Sequence, residues 1–268
     1  MALALCALWA NTLSAAIIIN DGFDDGGFSN GTDSNDITWS GLTNSTLSIA
    51  TDTTIGGGNA LNVDAIGTFN RIWTNFAGIT LSPGDSLTLS FDYNFTQNPA
   101  NTASQFRVGL FNNGGTNNTE NNDFGYGFTS NTGLDSATGT SVFEEAVGTS
   151  ILGGSPGGTV AFGTAGASVN SPTTGAHSVV YSISRNLSGH LNFSASIDGG
   201  VAATGTDTTP ATTTFHILAF GQGGVTLDYR LDNFQLEYSP VPEPGMLTLV
   251  GLGGLGLFFA RRQLGLRR

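Results

Sequence analysis

Apolar and polar residues alternate with a period of two along most of this 268-residue chain. Leu87, Leu89, Phe91, Tyr93 and Phe95 fall on one side of a strand, with Thr88, Ser90, Asp92 and Asn94 on the other. Phe106, Val108 and Leu110 repeat the pattern, as do Leu191, Phe193, Ala195 and Ile197. Residues two apart share a face only in an extended chain, so this period predicts strands with one buried and one wet face. The same reading predicts strands at 37–40, 46–50, 60–64, 69–76, 124–129, 179–184, 214–220 and 226–238. Helical periodicity is almost absent.

Turn chemistry fits this picture. Asp198-Gly199-Gly200 lies between two apolar runs and predicts a tight hairpin, because these residues accept the left-handed backbone that the favoured two-residue turns need. The last strand changes phase: Leu227, Tyr229 and Leu231 alternate, then Phe234, Leu236 and Tyr238 alternate in the opposite register. A bulge near Asp232-Asn233 would absorb the extra residue. Asn112–Asn122 predicts a polar loop. Gly148–Gly175 reads as a long loop in preference to weak edge strands, since glycine weakens strands. The predicted fold class is all-β: a single two-sheet antiparallel β-sandwich, a jelly roll, over residues 17–239.

Composition narrows the function. Only 10% of residues are charged, there is no lysine, and the net charge is -12. Between Ile17 and Pro240 there are 19 acidic residues against four arginines, a net of -15. Such a surface repels phosphate backbones, so no nucleic-acid partner is expected. The single cysteine, Cys6, lies in an apolar segment, Met1–Ala16, that reads as a signal peptide ending at the small residues Ser14-Ala15-Ala16.

The other end carries a more specific pattern. Pro240-Val-Pro242-Glu243-Pro244 is helix-incompatible, Gly245–Ala260 carries no charge, and Arg261-Arg262 closes it. As a helix, Pro244–Ala260 would be about 25 Å long, close to a hydrocarbon core of about 30 Å, with the arginines on the cytoplasmic side. Residues 240–268 are therefore read as a membrane-spanning tail, and the body as facing outward.

Val-Pro-Glu-Pro, a Gly/Leu-rich span and an Arg cluster, over Pro240–Arg262, resemble the PEP-CTERM sorting signal of exopolysaccharide-producing bacteria. The resemblance implies export and processing by exosortase, a membrane cysteine transpeptidase. Pro242, Glu243 and Pro244 would be the recognised motif, and Arg261 and Arg262 the stop-transfer cluster. The body, with Phe106–Phe111 mid-chain and Leu231–Phe234 in the last strand, is similar to concanavalin-like lectin and glucanase sandwiches; galactose-binding-like jelly rolls are the nearest competitor.

Catalytic constellations are thin. Glycoside hydrolysis needs two carboxylates facing one cleft. Glu144 and Glu145 are adjacent, so a strand would aim them apart, and the Glu-x-Asp-x-x-Glu arrangement of concanavalin-like glucanases is missing. His177, His190 and His216 read as ordinary sandwich residues. Oxygen ligands for calcium are abundant at 20–27 and 33–36, and if the first and last strands are neighbours, Asp24 or Asp25 could approach Asp232. For carbohydrate, Trp39, Trp73, Tyr126 and Phe128 are the aromatic candidates; all read as core first, and Tyr126, between Gly125 and Gly127, is the expected accessible ring. The expectation is a non-enzymatic surface or matrix protein, with extracellular polysaccharide as its candidate ligand and a secreted polysaccharide-active hydrolase or lyase as the alternative.

Overall fold

The computed structural model describes residues 14–29, 31, 35–41, 44–67, 69–96, 105–113, 123–131, 141–149, 152, 159–162, 175–223 and 228–241. Strands carry almost all of them: β1 (Ala16–Asp21), β2 (Trp39–Gly41), β3 (Ser45–Asp52), β4 (Gly58–Ala65), β5 (Phe69–Thr80), β6 (Ser86–Phe95), β7 (Gln105–Asn112) and β8 (Asp123–Asn131). They continue as β9 (Ser141–Thr149), β10 (Thr159–Phe162), β11 (Ala176–Arg185), β12 (Leu191–Ile197), β13 (Ala203–Asp207), β14 (Thr214–Gly223) and β15 (Tyr229–Ser239).

Two antiparallel sheets form the jelly roll. One has eight strands in the order β13-β12-β11-β6-β15-β4-β3, with β1 added on β15; the other has seven, β10-β9-β8-β7-β14-β5-β2. Their apolar inner faces meet in a single aromatic-rich core. Phe91 of the first sheet stacks on Phe234 at 5.4 Å and meets Phe220 of the second edge-on at 4.9 Å. Trp39 closes the same cluster, 4.7 Å from Phe234. Such pairs add about 0.5–1.5 kcal/mol each to the burial of their rings.

The bulge falls where the phase change predicts it. The β15–β6 register shifts between Asp232 and Gln235, and Asn233 takes a left-handed φ of 53°. This break lets one strand serve two neighbours: residues 229–231 pair with β4, and residues 234–238 pair with β1. The predicted hairpin is also present, with φ of 53° at Asp198 and 66° at Gly199.

Four strands, β1, β9, β10 and β13, lie outside the strand ranges predicted from the sequence. β9 lies where no strand is predicted, because Glu144-Glu145 interrupts its apolar alternation. β10 lies inside the stretch read as a long loop; Thr159-Val-Ala-Phe162 is just long enough to pair with β9 at the sheet edge. The expected end of the signal segment coincides with the start of β1, where Ala16 pairs with Tyr238. Residues 1–13, the membrane helix expected at 244–260, and the site residues Pro242, Glu243, Pro244, Arg261 and Arg262 lie outside the described residues. Among the described residues, no helix is long and apolar enough to cross a membrane.

Candidate functional site

The outer face of the seven-stranded sheet is built in ranks that cross its strands. One rank runs Arg71–Gly221–Arg107–Thr129–Ser141, and the next runs Trp73–Ala219–Gly109–Gly127–Phe143. The third runs Asn75–Ile217–Phe111–Gly125–Glu145. Four glycines therefore form the middle of this face; aromatic rings lie over Gly109, Gly125 and Gly127, and Leu152 and Arg71 lie over Gly221. A Cβ on Gly109 would sit 2.4 Å from the Phe111 ring, and one on Gly127 would sit 2.8 Å from the Phe143 ring. Phe111, Phe143, Ile217, Ala219 and Leu152 make a second apolar cluster here, separate from the core, with Trp73 packed at its margin.

Charge is placed with care on this surface. Arg107 is buried, and its Nη1 donates to the Leu152 carbonyl at 3.4 Å, while the Leu152 amide donates to Glu145 Oε2 at 2.9 Å. Burial pushes the Arg107 pKa down, the nearby Glu145 carboxylate opposes that, and Arg71 adds to it. Two of the four arginines of an acidic body thus flank Gly221 on one face.

Beside this face, at the β2–β5 margin, opens a cleft of about 570 Å³. Its walls include Trp73, Asn75, Ser40, Asn35 and Asp36. Trp73 is half-buried, and its indole Nε1–H, sealed from solvent, has no hydrogen-bond partner. A buried donor left unpaired costs about 1–3 kcal/mol. Asp36 is fixed by the amides of Gly31 and Ile37, each at 2.7 Å. An apolar ring and a polar rim are what a sugar ring requires: a flat surface for its C–H face and partners for its hydroxyls.

The residues singled out by sequence are distributed differently. Tyr126 is wholly buried; its ring lies 4.7 Å from Phe193, and its hydroxyl donates to Asp207 at 2.7 Å and accepts from the Ala211 amide. It is a core residue. The small neighbours that suggested an accessible ring point the other way, because residues one apart on a strand face opposite sides. Trp39 and Phe128 are also core. Trp73 is the exception among the four.

The acidic candidates also separate. Asp25 accepts the Gly27 amide at 2.8 Å and lies beside Gly31. Asp24 lies close enough to Asp232 to raise its pKa, which burial first, then Asp24, Asp92 and Asp52, push up to about 7. Among the described residues, no three or more His, Cys, Asp or Glu side chains converge to hold a metal ion. Of the two carboxylates expected near Asp232, Asp24 is the one that approaches it, and the Asp25 side chain is spent on its own turn. Glu144 and Glu145 do point to opposite faces: Glu144 has its pKa raised by burial and by Asp207 on the inner side, while Glu145 serves the outer cluster.

Residues 240–263 match the PEP-CTERM protein-sorting motif. The chain carries an exosortase sorting tail. That tail implies export, a membrane-anchored sorting signal and exosortase processing. No curated protein matches the chain in sequence. In structure, it is similar to a carbohydrate esterase of the Shiga toxin-encoding bacteriophage phi24B, at 12% identity and a TM-score of 0.53, over 84% of this chain and 99% of that one. It is also similar to a legume lectin-like domain from Entamoeba histolytica, at 16% identity and a TM-score of 0.47, over 76% and 90% of the two chains. An endo-1,3-beta-glucanase from Streptomyces sioyaensis gives 15% identity and a TM-score of 0.47, over 85% and 97%. At these identities the likeness concerns the fold.

Proposed function

We propose that this chain is a non-enzymatic protein of the bacterial surface or extracellular matrix, delivered by its PEP-CTERM tail, whose sandwich binds extracellular polysaccharide in the Trp73 cleft. The observation that carries the reading is the half-buried Trp73 ring in a cleft rimmed by Asn35, Asp36, Ser40 and Asn75. The indole would cover the C–H surface of a bound sugar, and the polar rim would meet its hydroxyls. Against a glycosidase stands the divergence of Glu144 and Glu145, since either hydrolytic geometry needs two carboxylates about 5–9.5 Å apart across one cleft.

Affinity electrophoresis of the purified ectodomain through gels cast with neutral or acidic polysaccharides tests this. The wild type should be retarded by at least one of them. Trp73→Phe, which keeps an apolar ring of smaller area, should weaken binding about fivefold. Trp73→Ala should abolish it. Equal mobility of wild type and both variants on every polysaccharide would overturn the assignment, and release of reducing ends or acyl groups would overturn the non-enzymatic half of it.

A further inference from the structure

The residue before the sorting motif, Val241, is tied to the sandwich. β15 ends at Ser239, which pairs with Ser86 at the start of β6, so the chain exits beside the β5–β6 turn. Asp85 in that turn is buried and collects three donors. Its Oδ2 accepts the Ser82 amide at 2.8 Å and the Tyr238 hydroxyl at 2.7 Å, and its Oδ1 accepts the Val241 amide at 2.9 Å. Burial by itself would raise the pKa of Asp85, but the bonds from Tyr238, Val241 and Ser82 outweigh it and hold the group ionised. Gly84 has a φ of 103°, and a Cβ there would lie 3.1 Å from the Val241 side chain, so the turn is shaped to receive that residue. The turn is itself fixed, with the Gly84 amide on the Arg185 carbonyl and the Arg185 amide on the Asp85 carbonyl. Val241 immediately precedes Pro242-Glu243-Pro244.

We infer that Asp85 is a positioning residue for exosortase processing: by holding the Val241 amide it makes the motif leave the folded body at one point and in one direction. This rests on the reading that exosortase processes the chain. A transpeptidase embedded in the membrane meets the motif with a folded domain attached directly to it. A tethered exit presents the motif in a single arrangement, whereas a loose one must be ordered at each encounter, and that ordering entropy appears in the rate. Charge-assisted bonds from N–H groups to a buried carboxylate are the strong kind, suited to such a tether.

The test is pulse–chase of the full-length chain in cells that contain exosortase, with the mass of the mature product determined. Asp85→Ala removes the acceptor, and Val241→Pro removes the donor without altering Pro242, Glu243 or Pro244. Each is expected to convert about fivefold more slowly than wild type, the rate equivalent of one lost hydrogen bond. The double variant should be no slower than either single one, since both act through the same bond. If Asp85→Ala misfolds, Val241→Pro alone decides. Wild-type conversion by a folded Val241→Pro chain, or additive slowing in the double variant, overturns the positioning role. Equal processing of the wild type with and without exosortase overturns the sorting reading instead, whatever the variants do.

Discussion

The two sheets share one core yet present opposite outer faces. The eight-stranded sheet shows small hydroxyl and amide side chains: Ser182 pairs with Thr88 on one side and Ser194 on the other, and Thr206 donates to Asn192 at 2.9 Å. The seven-stranded sheet shows glycines, rings and a buried arginine in the equivalent places. A strand is weakened by interior glycine, by about 0.5–1 kcal/mol per residue relative to alanine. Four of them side by side are retained where something must approach the backbone. On this face it is the rings of Phe111 and Phe143 that approach, and they carry the apolar surface outward to Trp73 and its cleft. A solvated sheet face needs only water as a partner. The face that departs from that plain solution is the one beside which the proposed binding cleft opens.

The sharpest way to break this contrast is to place an alanine on each face. On Gly127, an added Cβ would sit 2.4 Å from the Val108 carbonyl oxygen, a backbone contact that cannot swing away. Gly127→Ala is expected to destabilise the ectodomain by about 2–3 kcal/mol in urea unfolding, the range of an overpacked site. Ser194→Ala, on the outer face of the other sheet, should fall within about 0.5 kcal/mol of wild type. Equal and small effects would mean that the glycine floor is as tolerant as a wet face, and the distinction between the two surfaces would fail.

The inner faces were legible in the sequence, and the outer ones were not. Period two places Leu87, Leu89 and Phe91 inside without reference to any other strand, and the phase change in β15 announces its bulge. Ile72 and Trp73, by contrast, are adjacent apolar residues, so one must face out. Which one does depends on the pairing of Trp73 with Ala219 and Ser40, both remote in sequence. The Gly125-Tyr126-Gly127 signal was real but belonged to the opposite face, where the glycines receive rings from other strands. Glu144-Glu145 hid β9 for a related reason: Glu145 is spent on the Leu152 amide and so tolerates a position that pattern alone would call exposed. Long-range register is what a single sequence withholds.

Acid chemistry sharpens the contrast from the side of the eight-stranded sheet. Asp232 on β15 and Asp21 on β1 each have pKa values near 7, with burial the leading cause in both. A folded-state value above the unfolded one favours the protonated form on folding, so the stabilisation is complete below about pH 4 and is lost as pH rises through about 7. Asp52 opposes this at lower pH: although burial works against it, bonds from Thr54, Arg230 and Asn94 hold it down to about 2, so its contribution is lost only as pH falls below about 4. The melting temperature should therefore decline between pH 5 and pH 8. Asp232→Asn, which can still accept the Asn233 amide, should flatten that decline and exceed wild type at pH 8 by on the order of 1–2 kcal/mol. An unchanged slope in the variant would place the titration elsewhere.

Removal of divalent cations is the smallest expected effect and bears on the same corner. If Asp24 and Asp232 were joined by a cation, deprotonation would be assisted and the loss of stability towards pH 8 would vanish in calcium. Asp25 faces its own turn, and among the described residues no third acidic or histidine side chain joins the other two. Excess EDTA at pH 8 should therefore leave the melting temperature unchanged, and millimolar calcium should not raise it. A cation held one hundredfold above its dissociation constant would stabilise the fold by about 2.7 kcal/mol, which a thermal scan resolves easily. A clear drop in EDTA would thus identify the eight-stranded sheet as stapled by metal at its β1–β15 edge. Its plain outer face would then owe its order to an ion, and the contrast between the two sheets would have to be drawn between a metal-held surface and a ring-paved one.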